Sequence, residues 1–368
     1  SSNSARLATT SKSKFHCSFG KSSTPTPSIQ HRPQSRTLVG MGASSSNSIS
    51  NLNESTKSEY HQKSILLTGA SRGLGKSLAH ALSTCHPSLL ILSGRDEKAL
   101  KEVQQECLQI ASSKQQSQWG SRSFSTDDSS TSTMRVEIVV CDLAERHSVE
   151  QLATISLQLA KQHSTGNSSS SSRSGGNNID ILINNGGISS RSSFLTTDLT
   201  VDEKLMQVNF FSGVALAKKL VPGMVARGAG KVIWISSVQG KLGTPYRTSY
   251  AASKFAVQGY CESLRSELAS SNVSVHVVSP GYIRTNLSLS AVMGDGSAYS
   301  KMDETTANGA DPDDVAATIL HSVAAGKSDF VVAATFSAKA ALWLKFLAPS
   351  FLERMLVKRF KKQEVLEN

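Results

Sequence analysis

Short apolar runs alternate with longer stretches of helical periodicity between about residues 63 and 335. The runs are rich in Val, Ile and Leu, and they cover residues 64–67, 89–93, 136–140, 179–183, 231–235 and 273–278. Continuous apolar strands of this kind are typical of a parallel sheet that helices bury on both faces. The pattern therefore predicts an α/β fold with one doubly wound parallel sheet, and helices at about 96–112, 145–162 and 201–226.

Polar segments mark the boundaries of this predicted domain. Residues 1–62 are Ser-rich and basic, and we expect a disordered extension that is either an organellar targeting peptide or a low-complexity tail. Polar insertions are expected at about 113–133 and 163–178, within a domain at 63–335. Residues 286–310 are polar and too long for a plain connection, so they predict a substrate lid.

The C-terminal segment 336–368 combines apolar and basic residues and predicts an amphipathic extension. It contains no run of about 20 apolar residues, so we do not expect it to span a membrane. Pro349 should divide it into two helices, because proline breaks a helix interior. Two interpretations stay open: peripheral contact of 336–362 with a membrane surface, and packing against the body or a sister subunit.

Charge and cysteine content indicate which classes of partner, metal site and compartment to expect. The formal net charge is +11, but residues 1–53 hold six basic residues and no acid, which leaves 11 − 6 = +5 for the rest. No basic stripe interleaved with aromatic residues is visible, so no nucleic-acid partner is expected. The five cysteines form no metal-binding spacing, so we predict no metal site and a reducing, intracellular compartment.

A glycine-rich turn follows the first predicted strand. The sequence Thr68-Gly69-Ala70-Ser71-Arg72-Gly73-Leu74-Gly75 joins that strand to a helix, the context in which backbone N–H groups bind a dinucleotide pyrophosphate. The second strand ends at Gly94, where an NAD-binding protein would carry an acid for the ribose hydroxyls. Arg72 and Arg95 instead place two guanidiniums near that position, so the sequence predicts NADP(H) with its 2′-phosphate.

Further polar residues follow predicted strand ends, the edge at which parallel sheets bind ligands. Asp142 ends the third strand, where its carboxylate either reaches an adenine amino group or caps the next helix. Two turns, Asn184-Asn185-Gly186-Gly187 and Pro280-Gly281, follow two other strands. Asn209 lies among apolar neighbours in a predicted helix, where an unbonded amide costs stability, so we interpret it as functional.

Tyr250 and Lys254 carry the candidate chemistry. They are four residues apart, so they occupy one face of a predicted helix. A neighbouring ammonium favours the phenolate, which makes Tyr250 a candidate general acid or base. Ser237, after the fifth predicted strand, supplies a hydroxyl that can hold a substrate oxygen beside it.

These motifs together resemble the short-chain dehydrogenase/reductase family over about residues 63–335. The Gly-rich turn, Asn184 to Gly187, Asn209, Ser237, Tyr250-x-x-x-Lys254 and Pro280-Gly281 occur in the family's order, with twelve residues between Ser237 and Tyr250. One position departs from the family, which usually has Ala where this chain has Gly186. The resemblance implies a Rossmann-type sheet and a homodimer or homotetramer.

The resemblance also implies the roles of individual residues. Tyr250 would protonate a carbonyl oxygen, and Lys254 would lower the pKa of Tyr250 and bind the nicotinamide ribose. Ser237 would polarise the carbonyl, while Asn209 would hold a water of the proton relay. The implied cofactor-binding residues are Thr68, Gly69, Ser71, Arg72, Gly73, Leu74, Gly75, Arg95, Asp142, Leu143, Asn185, Gly186, Gly187, Tyr250, Lys254, Pro280, Gly281, Ile283 and Thr285. The implied substrate-contacting residues are Ser237, Gln239, Tyr246 and Tyr282.

The expected function is that of an NADPH-dependent carbonyl reductase acting on a small, lipid-like or hydrophobic ketone. The chain looks similar to a membrane-associated branch of the family that is linked to reduction of acyl/alkyl-dihydroxyacetone phosphate, which implies the endoplasmic reticulum or peroxisome. A targeting peptide would instead imply a plastid or mitochondrion. The alternative function is a non-catalytic NADP(H)-binding regulatory or scaffold protein, and the presence of both Tyr250 and Lys254 favours the enzyme.

Overall fold

Seven parallel strands form the centre of the computed structural model, which describes residues 49, 52–118, 134–165 and 178–367. The strands are β1 (Ser64–Thr68), β2 (Leu89–Gly94), β3 (Arg135–Val140), β4 (Ile181–Asn184), β5 (Gly230–Ile235), β6 (Val273–Pro280) and β7 (Asp329–Val332). Their order in the sheet is β3-β2-β1-β4-β5-β6-β7, and each neighbouring pair is parallel. The predicted doubly wound parallel sheet is therefore confirmed.

Helices cover both faces of this sheet. They are α1 (Glu54–Tyr60), α2 (Gly73–Ser83), α3 (Glu97–Gln118), α4 (Arg146–Thr165), α5 (Leu199–Met206), α6 (Ser212–Arg227), α7 (Thr248–Glu267), α8 (Glu304–Ala307), α9 (Pro312–Ala324), α10 (Phe336–Leu347) and α11 (Pro349–Glu367). One apolar core packs α1, α2, α3 and α9 against one face, and a second packs α4, α6 and α7 against the other. Ile65 and Leu67 point into the first core and Leu66 into the second, which explains why β1 is apolar at consecutive positions.

The order of the strands creates a crevice at one edge of the sheet. The chain leaves β1 towards β2 and β3, and then returns to the other side of β1 to form β4. The loops that follow β1 and β4 therefore diverge at the carboxyl ends of the strands. In open parallel sheets this reversal of strand order is where ligands bind.

Three elements differ from the sequence prediction. First, α1 lies within the segment expected to be disordered: Tyr60 is fully buried and its hydroxyl donates to the Leu320 carbonyl (2.9 Å), so the folded part begins before residue 63. Second, β7 is not predicted, because only four residues form it at the edge of the sheet. Third, the predicted helix 201–226 is α5 and α6 joined by a π-helical turn, Gln207–Phe211.

The two predicted insertions are described only at their edges. Helix α3 continues to Gln118 and α4 to Thr165, so both helices extend beyond their predicted ends. The remainder of the insertions, residues 119–133 and 166–177, lies outside the described residues, as do residues 1–48.

The C-terminal segment forms α10 and α11, divided at Pro349 as predicted. It contacts the body of the domain at several points. Phe360 stacks on Tyr246 with ring centroids 5.3 Å apart, and Lys345 Nζ lies 4.6 Å from the centre of the Phe255 ring.

Part of the apolar surface of this segment stays uncovered. Leu352 is buried, whereas four large side chains are between 69% and 88% exposed, namely Phe336, Trp343, Phe346 and Leu347. Among the described helices, none combines the length and the apolar character that a membrane crossing needs.

Candidate active site

A cavity of about 300 Å³ lies in the crevice at the carboxyl ends of β1, β4, β5 and β6. It is lined by the glycine-rich turn, the loop after β4, the start of α7 and the segment after β6. The structure brings nearly all of the predicted site residues to this cavity. Three of them do not line it: Thr68, Asn209 and Tyr246.

In the turn between β1 and α2, the backbone at Gly75 packs directly against the backbone at Gly69. A Cβ atom added at Gly75 would lie 1.9 Å from the Gly69 carbonyl oxygen, so only glycine fits the first turn of α2 at this point. The Asn185 amide donates to the carbonyls of Thr68 (3.0 Å) and Gly69 (3.1 Å), which ties the turn to the end of β4. No side chain caps the start of α2, so its first N–H groups are available to a phosphate.

Arg72 and Arg95 flank this turn at the rim of the cavity. Both side chains are exposed, and within the described part of the chain neither pairs with a carboxylate. A Cβ atom at Gly94 would meet Ser71 Oγ at 3.4 Å, an ordinary contact distance. The position therefore admits a Cβ atom and carries no acid.

The loop after β4 is shaped by Thr68 and Leu143. Thr68 Oγ1 accepts hydrogen bonds from the backbone N–H groups of Asn185 (3.1 Å) and Gly186 (3.0 Å). Thr68 therefore positions the loop after β4 without lining the cavity itself. A Cβ atom at Gly186 would lie 2.4 Å from Leu143 Cδ1. The other atoms near this position lie 3.4 Å or more away, so an alanine would require only a shift of the Leu143 side chain.

Asn209 lies in the π-helical turn between α5 and α6, and its amide is buried. Its Oδ1 accepts from the Ile188 N–H (2.8 Å), while its Nδ2 donates to the Ile188 carbonyl (2.9 Å) and to Ser253 Oγ (3.0 Å). π-Helical turns occur frequently at functional sites. Here the turn directs Asn209 between the loop after β4 and helix α7, so the side chain fixes the position of one relative to the other.

Ser237 and Lys254 approach the cavity from β5 and α7. Ser237 follows β5, and its hydroxyl accepts a hydrogen bond from the Gln239 N–H (3.1 Å). Lys254 Nζ donates to the Ile235 carbonyl (3.0 Å) and lies 5.8 Å from the centre of the Tyr250 ring. Burial lowers the pKa of Lys254 to about 8.

Tyr250 is buried at the start of α7, one turn before Lys254. Burial raises the pKa of Tyr250, and this effect exceeds the opposing influence of a hydrogen bond with Ser237 and of the charges on Arg247 and Arg191. The expectation that the neighbouring lysine sets a lowered pKa is therefore wrong for the protein without cofactor. The opposing effects come from Ser237 and the two arginines.

Arg191, Arg247 and Asp303 line or border the cavity, and the sequence analysis did not find them. Both guanidiniums pair with Asp303 Oδ2, Arg247 at 3.2 Å. Arg247 precedes Tyr250 by three residues, but it lies at the N-cap of α7 in a non-helical conformation, so helical spacing does not place it beside Tyr250. Arg191 and Asp303 lie in distant loops, and no sequence spacing connects them.

Of three other predicted site residues, two line the cavity and one does not. Asp142 lines the cavity and accepts from the Ala144 N–H (3.0 Å) in the turn before α4, so its contact with adenine stays a prediction. Gln239 lines the cavity, and its Oε1 is buried without a hydrogen-bond partner among the described residues. Tyr246 faces the C-terminal segment instead of the cavity, so the structure does not support it as a substrate contact.

Comparisons with known proteins identify the family. A family model described as short chain dehydrogenase matches residues 129–293. A Drosophila melanogaster protein named dehydrogenase/reductase SDR family protein 7-like is 40% identical over 307 residues, which cover 83% of this chain and 82% of that protein. The chain belongs to the short-chain dehydrogenase/reductase family. As a member of it, the protein is an NAD(P)-dependent oxidoreductase.

Other short-chain dehydrogenases/reductases agree in sequence and fold. Dehydrogenase/reductase SDR family member 7B of Danio rerio is 40% identical over 301 residues, covering 82% of this chain and 86% of that protein. A solved short-chain dehydrogenase from Sphingobium yanoikuyae in complex with NADPH is 20% identical, with a TM-score of 0.57, covering 80% of this chain and 95% of that one. At that identity the likeness shows the shared fold alone.

Proposed function

We propose that the protein is an NADPH-dependent carbonyl reductase that acts on a hydrophobic, lipid-like ketone. The observation that carries the proposal is the convergence of Ser237, Tyr250 and Lys254 on the same cavity as the glycine-rich turn. A hydroxyl that can give up a proton, a second hydroxyl beside it and a buried ammonium are the groups that carbonyl reduction requires of a protein.

The cavity fits a dinucleotide. The uncapped start of α2 and the close packing at Gly75 form a cradle for the pyrophosphate, since backbone N–H groups there lack other partners. Asp142 and Leu143, after β3, would hold the adenosine side, and Gly187, Lys254 and Ile283 the nicotinamide side. When bound, the cofactor supplies the hydride.

Residues of the chain bind the substrate carbonyl oxygen and supply its proton. Ser237 holds the carbonyl oxygen beside Tyr250, whose hydroxyl donates the proton. The phenolate that remains is favoured by Ser237, Arg247 and Arg191, the groups that oppose the effect of burial on the pKa of Tyr250. Asn209 positions Ser253 and the loop after β4, and so acts through other residues.

The preference for NADPH is supported by charge at the end of β2. Arg72 and Arg95 stand at the rim without carboxylate partners among the described residues, and Gly94 leaves the position without an acid. A planar guanidinium binds a phosphate through two parallel hydrogen bonds, whereas an acid would repel it.

A hydrophobic substrate is supported by the apolar wall of the cavity beside Tyr250. Ile188, Val208, Leu287 and Val292 line that wall, and Gln239 Oε1 offers one acceptor. The exposed aromatic side chains of α10 and α11, together with the exposed cations Arg354, Lys358 and Arg359, further support peripheral contact with an anionic bilayer. No described residue of the C-terminal segment lines the cavity, so the segment would deliver substrate to the domain and not enclose it.

The test of the proposed reaction is Tyr250→Phe, which removes the transferable proton and keeps the ring. NADPH should still bind, while turnover should fall by about 10²–10⁴-fold, the range for losing a general acid. NADPH consumption measured against lipid ketones, steroids, retinals and dihydroxyacetone-phosphate esters would identify the substrate. Tyr260→Phe, at a tyrosine of the same helix that does not line the cavity, is the matched control. Turnover of Tyr250→Phe within a few-fold of the unmodified protein would refute the assignment.

A further inference from the structure

The connection between Ser237 and Tyr250 carries one hydroxyl of the proposed reaction at each end. Ser237 is the N-cap of a short 3-10 helix, Val238–Gly240, and Tyr250 lies in the first turn of α7. Residues 241–247 between them form no helix or strand, and none of them is fully buried. The connection therefore has few restraints of its own, although the proposed reaction needs both hydroxyls at one substrate oxygen.

Tyr246 adopts a strained backbone conformation just before α7. Its φ of 62° lies in the left-handed region, which is costly for a residue with a Cβ atom. Strain of this kind persists only where the surroundings hold it in place. The next residue, Arg247, is the N-cap of α7, so the turn at Tyr246 sets where that helix begins. The contacts of Tyr246 therefore bear on the position of Tyr250, one turn further on.

Phe360 of α11 contacts Tyr246 from the C-terminal segment. The two rings stack with their centroids 5.3 Å apart and their planes at 29°. The backbone of Tyr246 is held from another side, because its carbonyl accepts a hydrogen bond from the Ser192 N–H (3.2 Å). Phe360 does not line the cavity, so it acts on the site only through Tyr246.

Lys345 of α10 holds the other end of the connection. Its Nζ donates to the Lys241 carbonyl (2.6 Å) and lies 4.6 Å from the centre of the Phe255 ring, a cation–π contact with α7. Lys241 Nζ in turn donates to Gln258 Oε1 (3.2 Å) in α7 and to Asp329 Oδ2 (2.7 Å) in β7. Lys345 therefore joins the start of the connection to the helix that carries Tyr250.

Gln258 extends these contacts to the residues around Lys254. Its Nε2 donates to Ser236 Oγ (3.1 Å), and Ser236 Oγ donates to the Lys254 carbonyl (3.1 Å). Ser236 is the residue immediately before Ser237. Hydrogen bonds through Lys241 and Gln258 thus join the C-terminal segment to both sides of the active site.

We propose that Phe360 and Lys345 are positioning residues, which hold the connection between Ser237 and Tyr250 so that both hydroxyls meet one substrate oxygen. Phe360 fixes the strained turn before α7, and Lys345 fixes the start of the connection. Neither side chain touches the cavity, so both act through other residues. This inference rests on the proposed roles of Ser237 and Tyr250.

Phe360→Leu tests the ring stack, because leucine keeps an apolar side chain and removes the ring. We expect kcat for ketone reduction to fall by roughly 10- to 100-fold, since a misplacement of ~1 Å can cost about 100-fold, while the affinity for NADPH stays unchanged. Phe360→Tyr keeps the ring and should retain turnover. Met355→Ala, at an exposed residue of the same helix, is the matched control. An unchanged kcat in Phe360→Leu, or an equal fall in Met355→Ala, would overturn the proposal for Phe360.

Lys345→Met tests the second contact, because it removes the ammonium and keeps the apolar stem over Phe255. The same split is expected, with a lower kcat and an unchanged affinity for NADPH. Lys345→Arg should recover part of the loss, since a guanidinium also donates to a carbonyl. Lys219→Met, at an exposed lysine of α6, controls for the loss of one charge. Unchanged turnover in Lys345→Met would exclude Lys345 as a positioning residue.

The pH dependence of the reverse reaction separates positioning from a loss of folded protein. In alcohol oxidation Tyr250 must accept a proton, so the rate rises with pH as the phenolate forms. Burial raises the pKa of Tyr250, and Ser237 and Arg247 oppose this effect. A shift of the connection would weaken both opposing contacts, so the pKa of Tyr250 would rise further.

The rising part of the pH profile should therefore move to higher pH in Phe360→Leu. A smaller folded fraction would instead lower the rate at every pH without moving the profile. Arg191 and Tyr282 also act on the pKa of Tyr250, but both lie outside the connection. A profile that keeps its position while kcat falls would show that Phe360 has a structural role alone, against the proposal.

Hydrogen exchange covers the case in which the protein reduces no ketone, which would count against the proposed function. In Phe360→Leu, amide exchange should become faster in residues 241–251 and in α11, and stay unchanged in the strands of the sheet. Met355→Ala should leave exchange in residues 241–251 unchanged. Unchanged exchange in that region in Phe360→Leu, or an equal rise throughout the domain, would refute the positioning role independently of turnover.

Discussion

Tyr250 is enclosed by groups that act on its pKa in opposite directions. Burial disfavours the phenolate, and Ser237, Arg247 and Arg191 favour it. The balance is a raised pKa, so Tyr250 carries its proton at neutral pH and can donate it. The pKa of Tyr250 thus depends on groups at the start of its own helix, at the end of β5 and in the loop after β4.

The residue at the end of β2 is predicted to decide the choice of cofactor. In Gly94→Asp the new carboxylate should repel the 2′-phosphate and accept hydrogen bonds from ribose hydroxyls, so the ratio of kcat/KM for NADPH over NADH should fall by at least ~10-fold. The new side chain fits, because its Cβ meets Ser71 Oγ at an ordinary 3.4 Å. Gly94→Ala controls for the added Cβ. An unmodified protein that already prefers NADH would show that the interpretation of Arg72 and Arg95 is wrong.

At the scale of elements, some apolar residues of α10 and α11 pack onto the domain and others are exposed to solvent. Leu352 and the ring of Phe360 pack onto the body, and the Lys345 ammonium donates to the Lys241 carbonyl (2.6 Å). Trp343 and Phe346 face outward. Burial of these side chains would be favourable, and together with the cations on α11 they are the basis for the proposed contact with an anionic bilayer.

Liposome flotation tests this surface. We expect the full chain to float with vesicles containing phosphatidylserine and to remain in solution with neutral vesicles. The triple variant Trp343→Ser, Phe346→Ser and Leu347→Ser should lose flotation without losing thermal stability, because these side chains are exposed. Leu108→Ser, at an exposed leucine of α3, is the matched control. Two results would contradict bilayer contact by the exposed residues of α10. The triple variant could still float, or the substitutions could dissociate an oligomer without changing flotation.

At the scale of the whole molecule, the site lowers the stability of the fold that carries it. Lys254 is a buried ammonium whose pKa is lowered to about 8 from an ordinary 10.5. Below pH 8 the charge is present in both folded and unfolded chains, and its burial destabilises the fold in full. Between pH 8 and about 10.5 the folded chain releases the proton first, so the destabilisation fades as the pH rises.

Denaturant unfolding at several pH values measures this effect. Without cofactor, Lys254→Met should be more stable relative to the unmodified protein at pH 7 than at pH 10, because methionine has no charge to bury. Other titrating groups are common to both proteins and cancel in the difference. Lys101→Met, at an exposed lysine of α3, controls for the loss of one charge. A difference in unfolding free energy that stays constant from pH 7 to pH 10 would contradict the lowered pKa of Lys254.

The sequence by itself determined the features that depend on neighbours along the chain. Apolar runs bounded by turns specify buried parallel strands, the glycine spacing specifies the turn before α2, and the four-residue spacing of Tyr250 and Lys254 specifies a shared helix face. Each of these follows from local backbone geometry, which a short stretch of sequence carries completely.

Tertiary structure decided the features that depend on which distant segments meet. Arg191 and Asp303 meet Arg247 only through the packing of three loops. The spacing of these residues along the sequence therefore does not predict the charge cluster beside Tyr250. Helix α1 packs against the domain through Tyr60, whose hydroxyl donates to the carbonyl of Leu320, a residue 260 positions further along the chain. The pKa of Tyr250 likewise follows from burial and from charges on separate elements, and these are properties of the folded chain alone.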